Sequence, residues 1–273
     1  MEWGRWEVHP EVGLGLSLLA AAYLLGVGPL RRRGGAGRLT PGHPIAFLGG
    51  LAVTFLALTG PLHDLADRYL FSAHMVQHLL LTLVIPPLLL AGTPGWLLRP
   101  LLAGRMRLAR PLARAPVAFA VYTVVLVAWH LPLLYEAAMR DHGLHVVQHL
   151  TLMAAGLWLF WPILSPLPEL PRLPPPAQML YLFLAGVPMV LIAAPITLAD
   201  EVLYPFYAGA PRLFGLTPLG DQRAGGVIMW VPGTLVFLIA ITFVFFRWVR
   251  AEAEPEEPSA RLGAPREDGH GAH

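Results

Sequence analysis

The chain has 273 residues, 56% of them hydrophobic and only 13% charged, and a mean hydropathy of +0.59. Soluble domains carry about 25% charged residues, so this composition points to a polytopic membrane protein. The net charge of +2 is too small for a nucleic-acid binder, and the lack of cysteine excludes disulfides, thiolate metal sites and cysteine redox chemistry.

Seven apolar stretches are expected to cross the bilayer as helices, each near the 20 or so residues that about 30 Å of hydrocarbon requires. They run over 11–30, 44–62, 73–95, 116–134, 144–165, 177–199 and 224–246. The N-terminus MEWGRWEVHP carries two acids before its apolar run, unlike the basic n-region of a signal peptide, so the first stretch is expected to stay as a span. All 19 basic residues are arginine, and they cluster. Arg31, Arg32, Arg33 and Arg38 follow span one; Arg99, Arg105, Arg107, Arg110 and Arg114 follow span three; Arg247 and Arg250 end span seven. The alternate loops are acidic or mixed, so the positive-inside rule puts the N-terminus outside and the C-terminus in the cytoplasm. The loop PLPELPRLPPP at 166–176 is expected as a stiff cytoplasmic connector. Residues 1–250 thus form one seven-helix transmembrane domain, and the Glu-, Pro- and Gly-rich 251–273 a disordered cytoplasmic tail in which His270 and His273 are incidental.

The spans repeat as outward-then-inward pairs: two and three, four and five, six and seven. HMVQH at 74–78 opens span three, and HVVQH at 145–149 opens span five. In the third pair Asp221 stands where the first histidine would be, and Gly225 where the second would be.

Residues four apart on a helix share a face. His74 with His78, and His145 with His149, therefore project together near the outer end of the bundle. His63 and His130 lie at the outer ends of spans two and four, and His142 in the loop between spans four and five. Imidazole is the commonest metal ligand, so two such pairs on neighbouring helices could supply four nitrogens to one ion. Gln77 and Gln148, three residues after His74 and His145, could orient the rings. One turn deeper stand Met153 and Met229, and thioether with imidazole suits Cu(I). Asp221 adds a carboxylate at the same level. Asp64 and Asp67 are further outer acids that could attract a cation.

Each residue also has a plainer reading. His63 and His130 could be interfacial anchors, and His43 and His142 loop residues. Met75, Met153 and Met229 could be packing, Gln77 and Gln148 helix–helix hydrogen bonds, and Gly225 and Gly226 close helix contacts. The duplicated histidine pair is harder to explain that way, because polar groups inside a membrane are costly and mark function by default. There is no nucleotide-binding loop and no nucleophile motif, and HxxxH here lacks the glutamate that gives a zinc hydrolase its base.

HMVQHLLL, then AWHLPLLYEAA with HVVQHLTLMAAGLWLFWPI, then DQRAGGVIMW, over about residues 40–248, resemble the polytopic CtaG family of assembly factors for caa-type cytochrome c oxidases. The single-span assembly factor that shares the CtaG name has a cysteine copper site and is excluded by the seven spans and the lack of cysteine. The resemblance implies a bacterial plasma-membrane protein, not an enzyme, that helps mature a haem–copper oxidase by copper delivery. Its expected partners are cytochrome c oxidase subunits, an extracytoplasmic copper donor and the lipid bilayer, with no nucleic acid. It carries over His74, His78, His145, His149 and the stretch from Asp221 to Met229. The expected cargo is copper, as Cu(I), at an outward-facing His/Met site, with zinc left open by the imidazoles. Three alternatives remain at this level: a membrane di-haem cytochrome, a metal transporter, and a metal-free scaffold for oxidase assembly.

Overall fold

The computed structural model describes residues 9–31 and 37–253, and among them every regular element is helical. Residues 254–273, with His270 and His273, and also Arg32 and Arg33, lie outside the described residues. Helix α1 (Pro10–Leu25) runs on through a π turn around Pro29. Helix α2 (Gly42–Leu58) bends by 45° into α3 (Pro61–Arg68). Next comes α4 (Phe71–Gly92), followed by two short helices, α5 (Gly95–Leu102) and α6 (Met106–Leu112). A 69° bend leads from α6 into α7 (Ala115–His130). Helix α8 (Pro132–Arg140) is followed by α9 (His142–Leu164), α10 (Pro175–Leu198), the single turn α11 (Pro205–Ala208) and α12 (Pro218–Ala253).

Five of the described helices are long and apolar enough to cross a membrane: α1 with its π turn, α4, α9, α10 and α12. Counting each bent pair as one span gives up to seven. Phe183, Leu191 and Phe243 point out of the bundle and are more than half exposed, as lipid-facing side chains would be.

Several connecting segments expected as loops are helical. Pro61 and Pro132 stand at the first turns of α3 and α8, where a missing N–H costs nothing and a fixed φ favours the helix. The last helix starts at Pro218 rather than near 224, which puts Asp221 in its first turn. Residues 251–253, expected in the tail, extend that helix. The proline-rich connector is non-helical, with Leu167 and Leu170 buried against the bundle and Arg99 paired to Glu169 at 2.8 Å.

Helix α4 passes through the centre and packs on α2, α9 and α12. Its middle, Leu80–Val84, is a π segment immediately before Pro86 and Pro87. Pro86 has no N–H to give the Thr82 carbonyl, so the regular ladder cannot continue there. At that point α9 comes close, because Gly156 has no side chain: a Cβ on it would sit 2.3 Å from the Thr82 carbonyl oxygen. A Gly156→Val substitution therefore has to separate α4 from α9. It is expected to destabilise the bundle by about 1–3 kcal/mol, read as a lower unfolding temperature in detergent; an unchanged temperature would refute this packing.

Candidate metal centre

Both histidine motifs open a helix, and the two helices are started differently. Helix α9 caps itself: Asp141 accepts the Leu144 amide at 2.7 Å. Helix α4 has Leu70 at its N-cap and no capping side chain of its own. Its cap comes from α12. Asp221 Oδ2 accepts the Phe71 amide at 2.7 Å, and Oδ1 accepts the Ser72 amide at 3.1 Å and the Ser72 hydroxyl at 2.5 Å. A carboxylate at a helix N-terminus is favoured by both hydrogen bonding and the helix dipole. Asp221 was expected beside the ion as a ligand; the structure commits both its oxygens to the start of α4. Gly225, one turn on, makes room for the Phe71 ring, which a Cβ would meet at 2.4 Å.

With α4 and α9 fixed in this way, the histidines meet. His74 Nε2 is 2.7 Å from His78 Nε2, and His145 Nε2 is 3.0 Å from His149 Nε2. Across the helices, the His74 ring stacks on His145 with centroids 5.2 Å apart and lies 5.6 Å from His149; His78 is also 5.6 Å from His149. Ligand nitrogens of His74, His145 and His149 all fall within 4.8 Å of one another. The rings are enclosed rather than displayed at a surface: His74 is 0% exposed and His149 8%.

A hydrogen-bond network assigns tautomers. Tyr207 gives its one hydroxyl proton to the Ala66 carbonyl at 2.6 Å, and accepts from Tyr135 at 3.2 Å. Its contact with His74 Nδ1 at 3.0 Å must then be donated by the histidine. His74 Nε2 is thus a lone pair facing His78. Burial in the loop helices pushes the Tyr135 and Tyr207 phenols well up, so Tyr207 stays a donor. Tyr204 holds the same loop to α7 through the His130 carbonyl at 2.8 Å, and Glu136 accepts the Phe206 amide at 2.9 Å.

His130 donates from Nδ1 to the Leu126 carbonyl at 2.7 Å, which leaves a buried Nε2 with no hydrogen-bond partner, and its ring is 5.5 Å from His78. His78 Nδ1 and both amide atoms of Gln148 are likewise buried without a hydrogen bond. Gln77 does orient a histidine, but not His74. Its amide donates to the Ala57 carbonyl at 2.8 Å and to His63 Nδ1 at 3.0 Å. Met229 is buried in the main hydrophobic core, and Met153 is half-buried on α9. The thioether nearest the tyrosine network is Met139, 3.9 Å from the Tyr207 hydroxyl. Tyr135, Tyr207, Met139 and Glu136 were not picked out from the sequence, because nothing in these connecting segments signals that they fold over the histidines.

Three of the imidazoles, His74, His145 and His149, could hold an ion. Metal–nitrogen bonds of about 2.0–2.1 Å place neighbouring donors about 3.3 Å apart round a tetrahedral ion. The close pairs within each motif would have to open toward that spacing, and the nitrogens of the three, now within 4.8 Å of one another, would have to draw in.

The profile of a family described as cytochrome c oxidase caa3 assembly factor, Caa3_CtaG, matches residues 21–251. The chain belongs to this family. Uncharacterized proteins of Mycobacterium bovis and Mycobacterium tuberculosis are each 26% identical over 284 residues, spanning 97% of this chain and 41% of theirs. An uncharacterized protein of Mycobacterium leprae is 26% identical over 269 residues, spanning 90% of this chain and 40% of its own. The chain thus spans about two fifths of the length of these curated relatives. No solved structure matches.

The cap on α4 gives a prediction for this family member. Asp221→Ala leaves two helix-starting amides without their acceptor and is expected to cost about 1–2 kcal/mol. Thermal unfolding in detergent would show it; a stability equal to wild type would mean that Asp221 does not set the start of α4.

Proposed function

We propose that the chain receives copper, as Cu(I), on the imidazoles of His74, His78, His145 and His149 and passes it to a cytochrome c oxidase during assembly. The observation that carries this reading is the meeting of two HxxxH pairs from neighbouring helices, buried together, in a chain whose family is described as an oxidase assembly factor. Copper is here cargo, and no substrate bond is made or broken, so the protein acts as a carrier rather than an enzyme. Nitrogen donors without thiolate suit a site that must release its ion. His130, with its spare Nε2, joins on the His78 side. Met153 and Met229 remain proposed sulfur donors, and Asp221 acts by fixing α4. Zinc would be held by the same imidazoles.

The proposed orientation keeps seven spans, with the bent pairs counted as one each, in three outward-then-inward helix pairs. The arginine-rich connectors face the cytoplasm of a bacterial plasma membrane, and the histidine end faces outward. That end is where an extracytoplasmic donor would deliver copper and where an oxidase subunit would collect it.

The hydrogen bonds between paired histidines also support a second reading, a metal-free scaffold in which the imidazoles only join α4 to its neighbours. A di-haem cytochrome is less well supported. Bis-histidine haem needs single rings on opposite faces of a flat macrocycle, whereas the His74 ring has the other three within 5.6 Å of it.

A titration of detergent-purified protein with Cu(I) against a competing chelator separates these readings. Wild type is expected to bind tightly, and His78→Ala/His149→Ala to lose at least about tenfold in affinity. Equal and weak binding by both would leave the scaffold.

A further inference from the structure

Outside the histidine cluster lies a cavity of about 210 Å³ that the copper reading above does not use. Exposed Glu11 and His142 stand at its rim, His63 and Asp67 line its wall, and buried His145 and His149 form its floor. His9, from the start of α1, closes one side, with its ring edge-on to His63 at 4.8 Å and its Nδ1 3.2 Å from Glu11.

Asp67 is held in an unusual setting. Its side chain is only 25% exposed, and its Oδ1 is buried without a hydrogen-bond donor. That oxygen faces His63 Nδ1 at 3.4 Å. The same Nδ1 already accepts the Gln77 amide, whose orientation is fixed by its other hydrogen bond to the Ala57 carbonyl. His63 Nδ1 is thus an acceptor with no proton to give the nearby carboxylate, and the buried Oδ1 is a negative end that a cation beside it would stabilise. The other carboxylate oxygen, Oδ2, is 3.7 Å from His145 Nδ1.

His145 touches both places. Its Nδ1 faces Asp67 in the outer cavity, and its Nε2 faces His149 at 3.0 Å in the inner cluster. We propose that His63, Asp67 and His145 form a second, outer cation position, and that His145 hands the ion across its own ring to the inner imidazoles. This proposal rests on the reading of the inner cluster as an ion site.

The chemistry of the two positions differs in a way that gives the transfer a direction. The outer one offers a carboxylate and two imidazoles near solvent, a borderline donor set that accepts a hydrated transition-metal ion. Its negative charge also concentrates cations at the mouth of the bundle. The inner one offers imidazoles, with the proposed thioethers, and no carboxylate, in a buried setting. An ion moving inward exchanges a carboxylate for nitrogen one ligand at a time, so it is never without donors. The ion's charge does not change, and His145 exchanges its ring proton in the opposite sense: Nε2–H is lost as that nitrogen takes the ion, and Nδ1, released by the ion, is protonated.

The test uses the full chain in detergent, with Cu(I) released from a coloured chelator so that loading is followed in time as well as at equilibrium. Asp67→Asn is expected to slow loading by about tenfold or more while shifting equilibrium affinity by a smaller factor, and Asp67→Glu to restore the rate. His78→Ala/His149→Ala is expected to lose tight binding yet keep a weaker ion, which is lost when Asp67→Asn is added. Thermal unfolding of each variant identifies any that fails to fold, and Glu11→Gln at the rim then serves as the second probe, again with slower loading expected. If wild type binds copper tightly and both Asp67→Asn and Glu11→Gln load at its rate, the outer position is overturned and the inner site stands. If wild type takes up no copper tightly, the inner site falls and the outer position falls with it.

Discussion

Imidazole nitrogens placed inside a bundle of apolar helices must find partners there, since lipid and hydrocarbon side chains offer none. Much of the architecture around α4 and α9 follows from that constraint. His74 reaches a tyrosine from the loop between α10 and α12, and that tyrosine is held in turn by the Ala66 carbonyl and by Tyr135. The histidines of each motif face one another along their own helix. The segments around α3, α8 and α11 are therefore a folded cover whose hydrogen bonds set the tautomer of His74. Some groups around the histidines stay without a hydrogen bond, among them His78 Nδ1, His130 Nε2, Gln148 and Asp67 Oδ1, as do other buried groups elsewhere in the bundle.

The helices must also be brought into register for the rings to meet. Two devices do this. Asp221 reaches from α12 to start α4, which fixes where His74 falls in the first turn. Gly156 lets α9 approach the point where Pro86 interrupts the ladder of α4, which fixes the separation of the two motif helices below the site. Each device is far from obvious as a functional feature, yet a loss of either would move one histidine pair relative to the other.

The sequence made part of this legible. Apolar stretches located the long helices to within a few residues, except α12, which runs well past both ends of the expected 224–246, and the two HxVQH motifs named the residues that come together, because helical periodicity alone puts each pair on one face. The family resemblance rested on those same motifs and is supported over residues 21–251. Other features needed the fold. Asp221 reads as a ligand from its register with the histidines, but a carboxylate's role depends on which amides it meets, and those belong to a helix 149 residues or more away in sequence. Gln77 reads from the sequence as able to orient a ring, and it does so, but the ring is His63 on a different helix, which helical spacing does not name. Tyr135 and Tyr207 were invisible because short loop helices carry no strong periodic signal. Burial of the histidines, expected near the outer boundary, likewise depends on the loops that cover them.

If an ion sits among the imidazoles of α4 and α9, X-ray absorption at the copper edge of the Cu(I)-loaded protein will see them. Nitrogen scatterers are expected near 2 Å, at about the metal–imidazole bond length, with an outer-shell pattern of imidazole rings that weakens in His78→Ala/His149→Ala as oxygen from Asp67 enters. A spectrum of oxygen scatterers without imidazole, or one unchanged by the double substitution, would contradict it and move the ion away from the paired histidines.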